Sequence, residues 1–511
     1  QVLPFIRANR LSNVRIGSVL ASGCILFNNF DTTNTLKKLL PSEVFRMGSV
    51  ILTTGSICID YRLQEALKTD INTCHENSSI KIGKLCAMNG GLFIKAAQHL
   101  ASMDHLLPKS YIKELEKLQD QAPASSIEVI EQVFKKELGK DLKEVFSEIC
   151  EVPIGSASIG QVHLAKLKST GEEVALKIQH PNIKEEANID LKSFKIALKI
   201  VKMVFPSVSL DWIVEELRSC LNSELNFKLE AENSKKTKHL FENCNFILVP
   251  KVYDNLTSER VLTMEFVSGF KVNDVERMKA TGLDLNRINS LMHEIFMEMI
   301  FKHKFLHCDP HPGNILVHFK DGEKENVKIV LLDHGIYKSI PSHIVTTFSR
   351  LFLAMMENDF KSIHEISKEM EISIEILEEF LYLFKKLKNE RSDHVFDELN
   401  KFINEQSEER KVQASEALNA IPREFFFILK VLDLLRSNER CLTRDQSKQF
   451  LPKSLVILTN HCLNQAQGLD SDIASSDNSS RTLIFAYLKL MKAFFTDKKK
   501  FLSIHSHNKL H

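Results

Sequence analysis

Helix breakers, tryptophan and paired cysteines are scarce in this chain. Its 511 residues hold 17 glycines, 13 prolines and one tryptophan. So few breakers over such a length favour long helices. An excess of either charge is also missing, since 67 Lys and Arg face 66 Asp and Glu, a net charge of +1. A protein that neutralises nucleic-acid phosphates shows a basic excess or stripe, so nucleic acid is not an expected partner. The short run Lys498-Lys499-Lys500 reads as a solvated face. The ten cysteines are scattered and none forms a C-x-x-C pair. That argues against a zinc ribbon or a thioredoxin motif and suits a reducing compartment. The apolar stretches at 16–27 and 47–58 fall short of the ~20 residues a spanning helix needs. What is present is ordinary globular material, 43% apolar and 26% charged, with chain enough for two or three domains.

The N-terminal region has a composition of its own. Arg7, Arg10 and Arg15 alternate with Ser12, Ser18 and Ser22, and no acid precedes Asp31. Arginine and serine without acid is the composition of a mitochondrial transit segment. A membrane anchor and a helix packed on the main domain are the alternatives. Residue 1 is glutamine, so the initiator end is expected to be missing or processed. Residues 1–34 are therefore expected to be a targeting or membrane-proximal segment, in a mitochondrial and membrane-associated protein.

Residues 35–150 read as helical, with apolar positions such as Tyr111, Leu115 and Leu118 at helical steps. Ser125-Ser126-Ile127-Glu128 has the form of a capped helix start. The pattern then alternates over Val162-His163-Leu164-Ala165-Lys166-Leu167, turns at Ser169-Thr170-Gly171 and resumes at Val174-Ala175-Leu176-Lys177-Ile178, which predicts a β-hairpin. Helical periodicity returns at 211–243. Residues 246–253 and 260–266 predict two more strands. From 285 on the chain is mostly helical, interrupted by a Pro-Gly loop and a short strand at 327–332. Residues 467–480 predict a surface loop. A β-rich unit between helical blocks is the order of a two-lobed protein kinase. The expected fold is α+β and kinase-like: a helical extension at 35–150, an N-lobe at 151–267 and a helical C-lobe at 268–511.

The chemistry concentrates in His307-Cys308-Asp309-Pro310-His311-Pro312-Gly313-Asn314. Asp309 and Asn314 stand five apart, as in the kinase loop H-R-D-x-x-x-x-N. Leu331-Leu332-Asp333-His334-Gly335 follows, an apolar strand ending in Asp-x-Gly. Phosphoryl transfer uses one carboxylate to orient the nucleophile, and an amide oxygen with a second carboxylate to hold Mg²⁺. His303, His307 and His311 recur at four-residue steps like zinc ligands on a helix, but Pro310 and Pro312 oppose a continuous helix there. Val174-Ala175-Leu176-Lys177 has the form of the strand whose lysine pairs with nucleotide phosphates and a helix glutamate. Glu224, Glu230 and Glu232 are candidates for that glutamate. Where a kinase has a glycine-rich loop, this chain has Gly155-Ser156-Ala157-Ser158-Ile159-Gly160. Cβ atoms there make a stiffer loop and a different phosphate cradle.

These residues together resemble the UbiB/ABC1/aarF-domain atypical kinase family. Ser156-Ala157-Ser158-Ile159-Gly160-Gln161-Val162-His163 is similar to its A-A-A-S-I-G-Q-V-H. The 307–314 segment is similar to its H-x-D-P-H-P-G-N, Glu224-Leu225-Asn226 to its E-x-D, and Lys95-Ala96-Ala97-Gln98 to its K-x-G-Q. The resemblance spans roughly 89–338. It implies that Lys177 pairs with Glu230 and the phosphates, that Ser156, Ala157 and Ser158 line the nucleotide loop, and that Asp309 is the catalytic base. It implies Asn314 and Asp333 as metal ligands, and Glu265 to Val267 as the hinge that holds adenine. Lys95 and Gln98 would lie on an extension folded over the site, contacted by Glu224. ATP or ADP and Mg²⁺ are the implied cofactors. A mitochondrial membrane lipid or lipid-like substrate and mitochondrial proteins are the implied further partners. Two departures stand out: Ala97 replaces a glycine, and Asn226 replaces an aspartate.

Three functions compete at this point. The complete Lys, Glu, Asp, Asn and Asp set points to an active Mg²⁺-dependent ATPase or small-molecule and lipid kinase. The two departures and the lost glycines point to a nucleotide-binding pseudokinase acting as a scaffold. A helical binding protein without nucleotide chemistry is the third.

Overall fold

A computed structural model describes residues 37, 39–101, 108–118, 124–156, 159–205, 223–320, 323–357, 359–372, 422–443 and 453–466. The predicted surface loop at 467–480 and the whole N-terminal segment at 1–34 lie outside these residues. The chain divides into two compact units: Gln1–Leu229 with Val252–Phe266, and Glu230–Lys251 with Val267–His511.

The first unit opens with four helices: α1 (Ser42–Leu67), α2 (Ile71–Asn89), α3 (Gly91–Ala101) and α4 (Lys109–Glu116). The side chain of Asp70 accepts the N–H groups of Asn72 and Thr73 and so caps α2. Gly90 and Gly91, with φ of 65° and 47°, let the chain turn sharply from α2 into α3. Leu115 and Leu118 are buried with Val50, Phe93, Ile94 and Ala97 in one cluster. The apolar stretch at 47–58 lies inside α1. Among the described residues no helix is long and apolar enough to cross a membrane.

Helix α5 (Ile127–Leu138) starts after Ser126, which makes no side-chain cap bond contrary to expectation, and stops at Gly139, whose φ is 68°. Strands β1 (Phe146–Ile149), β2 (Gly155–Ser156), β3 (Gly160–Leu167) and β4 (Glu173–Gln179) follow, then α6 (Ile183–Val204) and α7 (Phe227–Leu240), whose residues from Glu230 on belong to the second unit. The expectation of helix throughout 35–150 is corrected at its end, because Phe146–Ile149 pairs antiparallel with β3. The predicted hairpin is present as β3 and β4, in register from Gly160 opposite Gln179 to Lys166 opposite Glu173. A Cβ on Gly160 would come within 2.5 Å of the Ile178 carbonyl, so only glycine allows this approach. Ile130, Val133 and Phe134 of α5 pack on Val174, Leu176 and Ile178 of β4.

The predicted strand at 246–253 does not form as one piece. Ile247–Leu248 is β5, and it runs parallel to a strand of the second unit. Val252 instead bridges Met264 on β6 (Val261–Glu265), which pairs with β4 in the first unit. Pro250 lies between them, with no N–H to continue a ladder.

The second unit is helical around two small sheets. It contains β7 (Phe270–Lys271), α8 (Leu285–Met297), a π turn at Glu298–Lys302, β8 (Phe305–His307), β9 (Ile315–His318), β10 (Lys328–Leu331) and β11 (Tyr337–Ser339). Helices α9 (Ser342–Glu357), α10 (Phe360–Glu369), α11 (Arg423–Thr443) and α12 (Lys453–Ala466) complete it. One sheet runs β5-β10-β9-β7 and the other pairs β11 with β8. Only β10 is expected from the sequence here. β7, β8 and β11 span two or three residues, too short for alternation to show. The core joins Ile288, Met292 and Phe296 of α8 to Phe348 and Phe352 of α9 and Phe425 and Ile428 of α11.

Candidate functional site

In the first unit Lys177 sits on β4, between Val162 of β3 and Leu262 of β6. Its ammonium lies 5.0 Å from the centroid of the Phe227 ring, and that ring is fully buried. Ser156 ends β2 opposite Gln161. Ala157 and Ser158 lie outside the described residues. Glu265 ends β6, exposed, and Val267 is buried in the second unit.

Lys95 and Gln98 both lie on α3. Lys95 Nζ is 2.9 Å from Glu224 Oε2, and the Glu224 side chain is only 7% exposed. The three candidate glutamates thus differ: Glu224 meets Lys95, Glu230 is buried on α7, and Glu232 is exposed. The two departures have local explanations. Ala97 is buried in the α3–α4 cluster. Asn226 Oδ1 accepts the N–H groups of Lys228 and Leu229, at 3.1 and 3.4 Å, and caps α7. Asparagine caps a helix as well as aspartate does.

In the second unit β8 ends at His307 and the chain turns into Asp309. Asn314 Nδ2 donates to both the Asp309 carbonyl and Asp309 Oδ2, each at 3.1 Å. Gly335 N–H donates to Asp333 Oδ1 at 2.9 Å. The backbone N–H of Leu332 donates to the Asn314 carbonyl at 3.0 Å, which ties the two segments together. His307 Nδ1 accepts the Asp309 N–H at 3.0 Å, and its Nε2–H donates to the Asp333 carbonyl at 2.7 Å. Burial holds the His307 pKa below its ordinary value, so the ring is a neutral brace. Burial also pushes the Cys308 thiol up to about 12, which makes it unreactive at neutral pH. From behind, Asn438 of α11 donates to the Pro310 carbonyl at 3.1 Å. His303 follows the π turn, His307 is in a strand and His311 is in a loop, so the three share no helical face.

Asp309 and Asn314 thus bond each other directly, and His307 with the Leu332 N–H ties the Asp333 segment to them, so all three offer oxygen ligands from one braced region. Such donors suit Mg²⁺, which takes one or two carboxylates and completes its shell with water and phosphate oxygens. Among the described residues no group of three or more His, Cys, Asp or Glu could hold a metal by itself.

Sequence reasoning missed two polar centres in the first unit. Gln161 and His163, buried on β3, are braces. Gln161 bonds both backbone groups of Ser125, at 2.7 and 3.0 Å, and donates to His163 Nε2 at 2.8 Å. His163 donates from Nδ1 to the Cys150 carbonyl at 2.7 Å. The second centre is Arg46 on α1. Its guanidinium grips Asp190 of α6 with Nε at 2.7 Å and with Nη2, donates to the Asn89 carbonyl at 2.7 Å, and reaches Glu186 at 3.3 Å. Asp190 is fully buried, and burial pushes its pKa up to about 6 against the pull of Arg46. A lone arginine beginning an apolar stretch was the available signal.

A model of the ABC1 atypical kinase-like domain matches residues 117–367. The chain is 35% identical to AarF domain-containing protein kinase 1 of Gallus gallus over 88% of this chain and 87% of that protein. It is 32% identical to the Mus musculus protein of the same name, over 88% and 87%. It is 37% identical to the probable serine/threonine-protein kinase abkB of Dictyostelium discoideum, over 73% of this chain and 56% of that one. A Mycobacterium tuberculosis protein solved in complex with erythromycin aligns at 25% identity with a TM-score of 0.44, covering 56% of this chain and 73% of that one.

Proposed function

The chain belongs to the ABC1 atypical kinase-like family, and from that premise we propose that it binds ATP or ADP with Mg²⁺ and transfers the γ-phosphoryl group to water or to a small-molecule or lipid acceptor. The observation that carries this reading is the Asp309–Asn314 bond together with the His307 and Leu332 bonds that tie the Asp333 segment to that pair. Asp309 is the group that would orient the nucleophile, held by the Asn314 amide. Asn314 and Asp333 are the residues that would hold Mg²⁺. The ion supplies neutralisation of phosphate charge in this class of chemistry. Lys177 and Glu230 fill the phosphate-binding lysine and helix-glutamate positions, and the 155–160 loop would cover the phosphates. Residues 151–267 and 268–511 act as the two lobes, with 35–150 as an extension and Lys95 paired to Glu224. A mitochondrial site of action, in lipid or membrane homeostasis, is supported by the composition of residues 1–30 and by the family resemblance.

Phosphate release from ATP tests the reading. Turnover is expected to require Mg²⁺, to be slow, and to fall about 100-fold or more in Asp309→Asn, the scale of a lost general base. Nucleotide binding without any phosphate release, in wild type and variant alike, would replace it with the scaffold reading.

A further inference from the structure

Asp333 belongs to a segment tied by bonds that its likeness to Asp-Phe-Gly does not foretell. The carbonyl of the next residue, His334, accepts from Asn233 Nδ2 at 2.9 Å. The His334 side chain, 2% exposed, folds back on its own strand. Its Nε2–H donates to the Leu331 carbonyl at 3.2 Å, and its Nδ1 accepts the Tyr337 hydroxyl at 2.9 Å. The Tyr337 ring stacks on His334 with 10° between planes and on Phe305 with 20°. Lys236 Nζ lies 3.8 Å from the Phe305 centroid. Asn233 and Lys236 are on α7, three and six residues beyond Glu230. The helix that carries Glu230 is thus bonded directly to the segment that carries Asp333.

In a protein kinase the middle residue of this triplet is a phenylalanine, and its packing sets the active or inactive state. Apolar packing is non-directional and lets a side chain exchange one pocket for another. Hydrogen bonds to buried carbonyls are directional, and leaving them unmade is unfavourable. We propose that Asn233, His334 and Tyr337 are positioning residues that hold Asp333 in one conformation and couple it to the Glu230 helix, so that this site has no Asp-x-Gly flip through which to be regulated. The proposal rests on the reading of Asp333 as a metal ligand.

Nucleotide affinity measured with and without Mg²⁺ tests it, in the full chain and in Asn233→Asp, Asn233→Gln and Tyr337→Phe. Asn233→Asp keeps the shape but loses the donor, and Tyr337→Phe keeps the ring but loses the hydroxyl. Each is expected to lower the Mg²⁺-dependent gain in affinity about tenfold, with metal-free affinity within about twofold of wild type, the scale of one lost hydrogen bond. Asn233→Gln, which keeps a donor, is expected to recover part of the gain. Hydrogen exchange gives a readout that needs no nucleotide: the Gly335 amide is expected to lose protection in both donor-lacking variants. A full Mg²⁺ gain with unchanged Gly335 protection would overturn the proposal. So would equal losses with and without metal that track the melting temperature, since those mark a merely structural role. Absence of any Mg²⁺ gain in wild type would overturn the metal-site reading along with it.

Discussion

Helix α1 is fixed to helix α6 by a buried ion pair, whereas the Asp333 segment is fixed by neutral groups. In the first unit the Arg46 guanidinium meets a fully buried Asp190 and the Asn89 carbonyl. In the second, a neutral imidazole, an amide and a phenol bond the carbonyls and side chains around Asp333. Both arrangements satisfy polar groups away from water, but they fail differently. A buried charge left alone is far more unfavourable than a lost neutral bond. The ionic junction should therefore lose more stability when one partner is removed than the neutral network loses for one deleted bond.

The largest stability effect is expected where the contrast is sharpest. Arg46→Ala leaves Asp190 buried without its partner and should destabilise by about 3–5 kcal/mol at pH 8, read from urea unfolding. Loss of Arg46 removes a pull that opposes the burial raising the Asp190 pKa, so Asp190 becomes neutral more readily. The loss should therefore shrink at pH 5. Replacing both partners at once, Arg46→Met with Asp190→Leu, should recover most of it. A single variant no worse than the double would break the comparison.

Acid should act on the second unit through its histidines. His307 and His293 are buried and their pKa values are held low by burial. Unfolded, each takes a proton near its usual value of about 6.5. The unfolded chain thus binds protons first, and stability is lost as pH falls through that value. The slope is at most about 1.4 kcal/mol per pH unit for each histidine. Urea midpoints at pH 7.5 and 5.5 should differ less in His293→Leu than in wild type. An equal difference would remove His293 from the account.

The smallest effect is expected at an exposed pair. Lys184 and Glu259 lie 2.8 Å apart with more than half of each side chain exposed. Lys184→Ala should change stability by less than about 1 kcal/mol, and less still in high salt. A loss near that of Arg46→Ala would mean that burial does not separate the two classes of ion pair.

The α+β class, the β3–β4 hairpin and the 307–314 and 333–335 motifs were all legible because each is local. Alternation marked the strands, and chemistry-bearing residues stood at fixed spacings. The strand at 246–253 was misread because a run of apolar residues does not reveal that Pro250 divides it between two units. The short strands around the Asp309 loop left no periodic trace. Arg46, Asp190 and Asn233 were illegible for another reason. Arg46 and Asp190 are 144 residues apart, and Asn233 and His334 are 101 apart, so only folding brings them together.

A thermal-shift titration with ATP, with and without Mg²⁺, on the full chain and on Asp333→Asn tests the central claim most directly. At 100-fold the Kd, binding should stabilise the wild type by about 2.7 kcal/mol. The predicted result is a shift that needs Mg²⁺ in the wild type and is absent in Asp333→Asn. A shift of the same size without Mg²⁺, or one that survives in the variant, would contradict the assignment of Asp333 to a metal–nucleotide site.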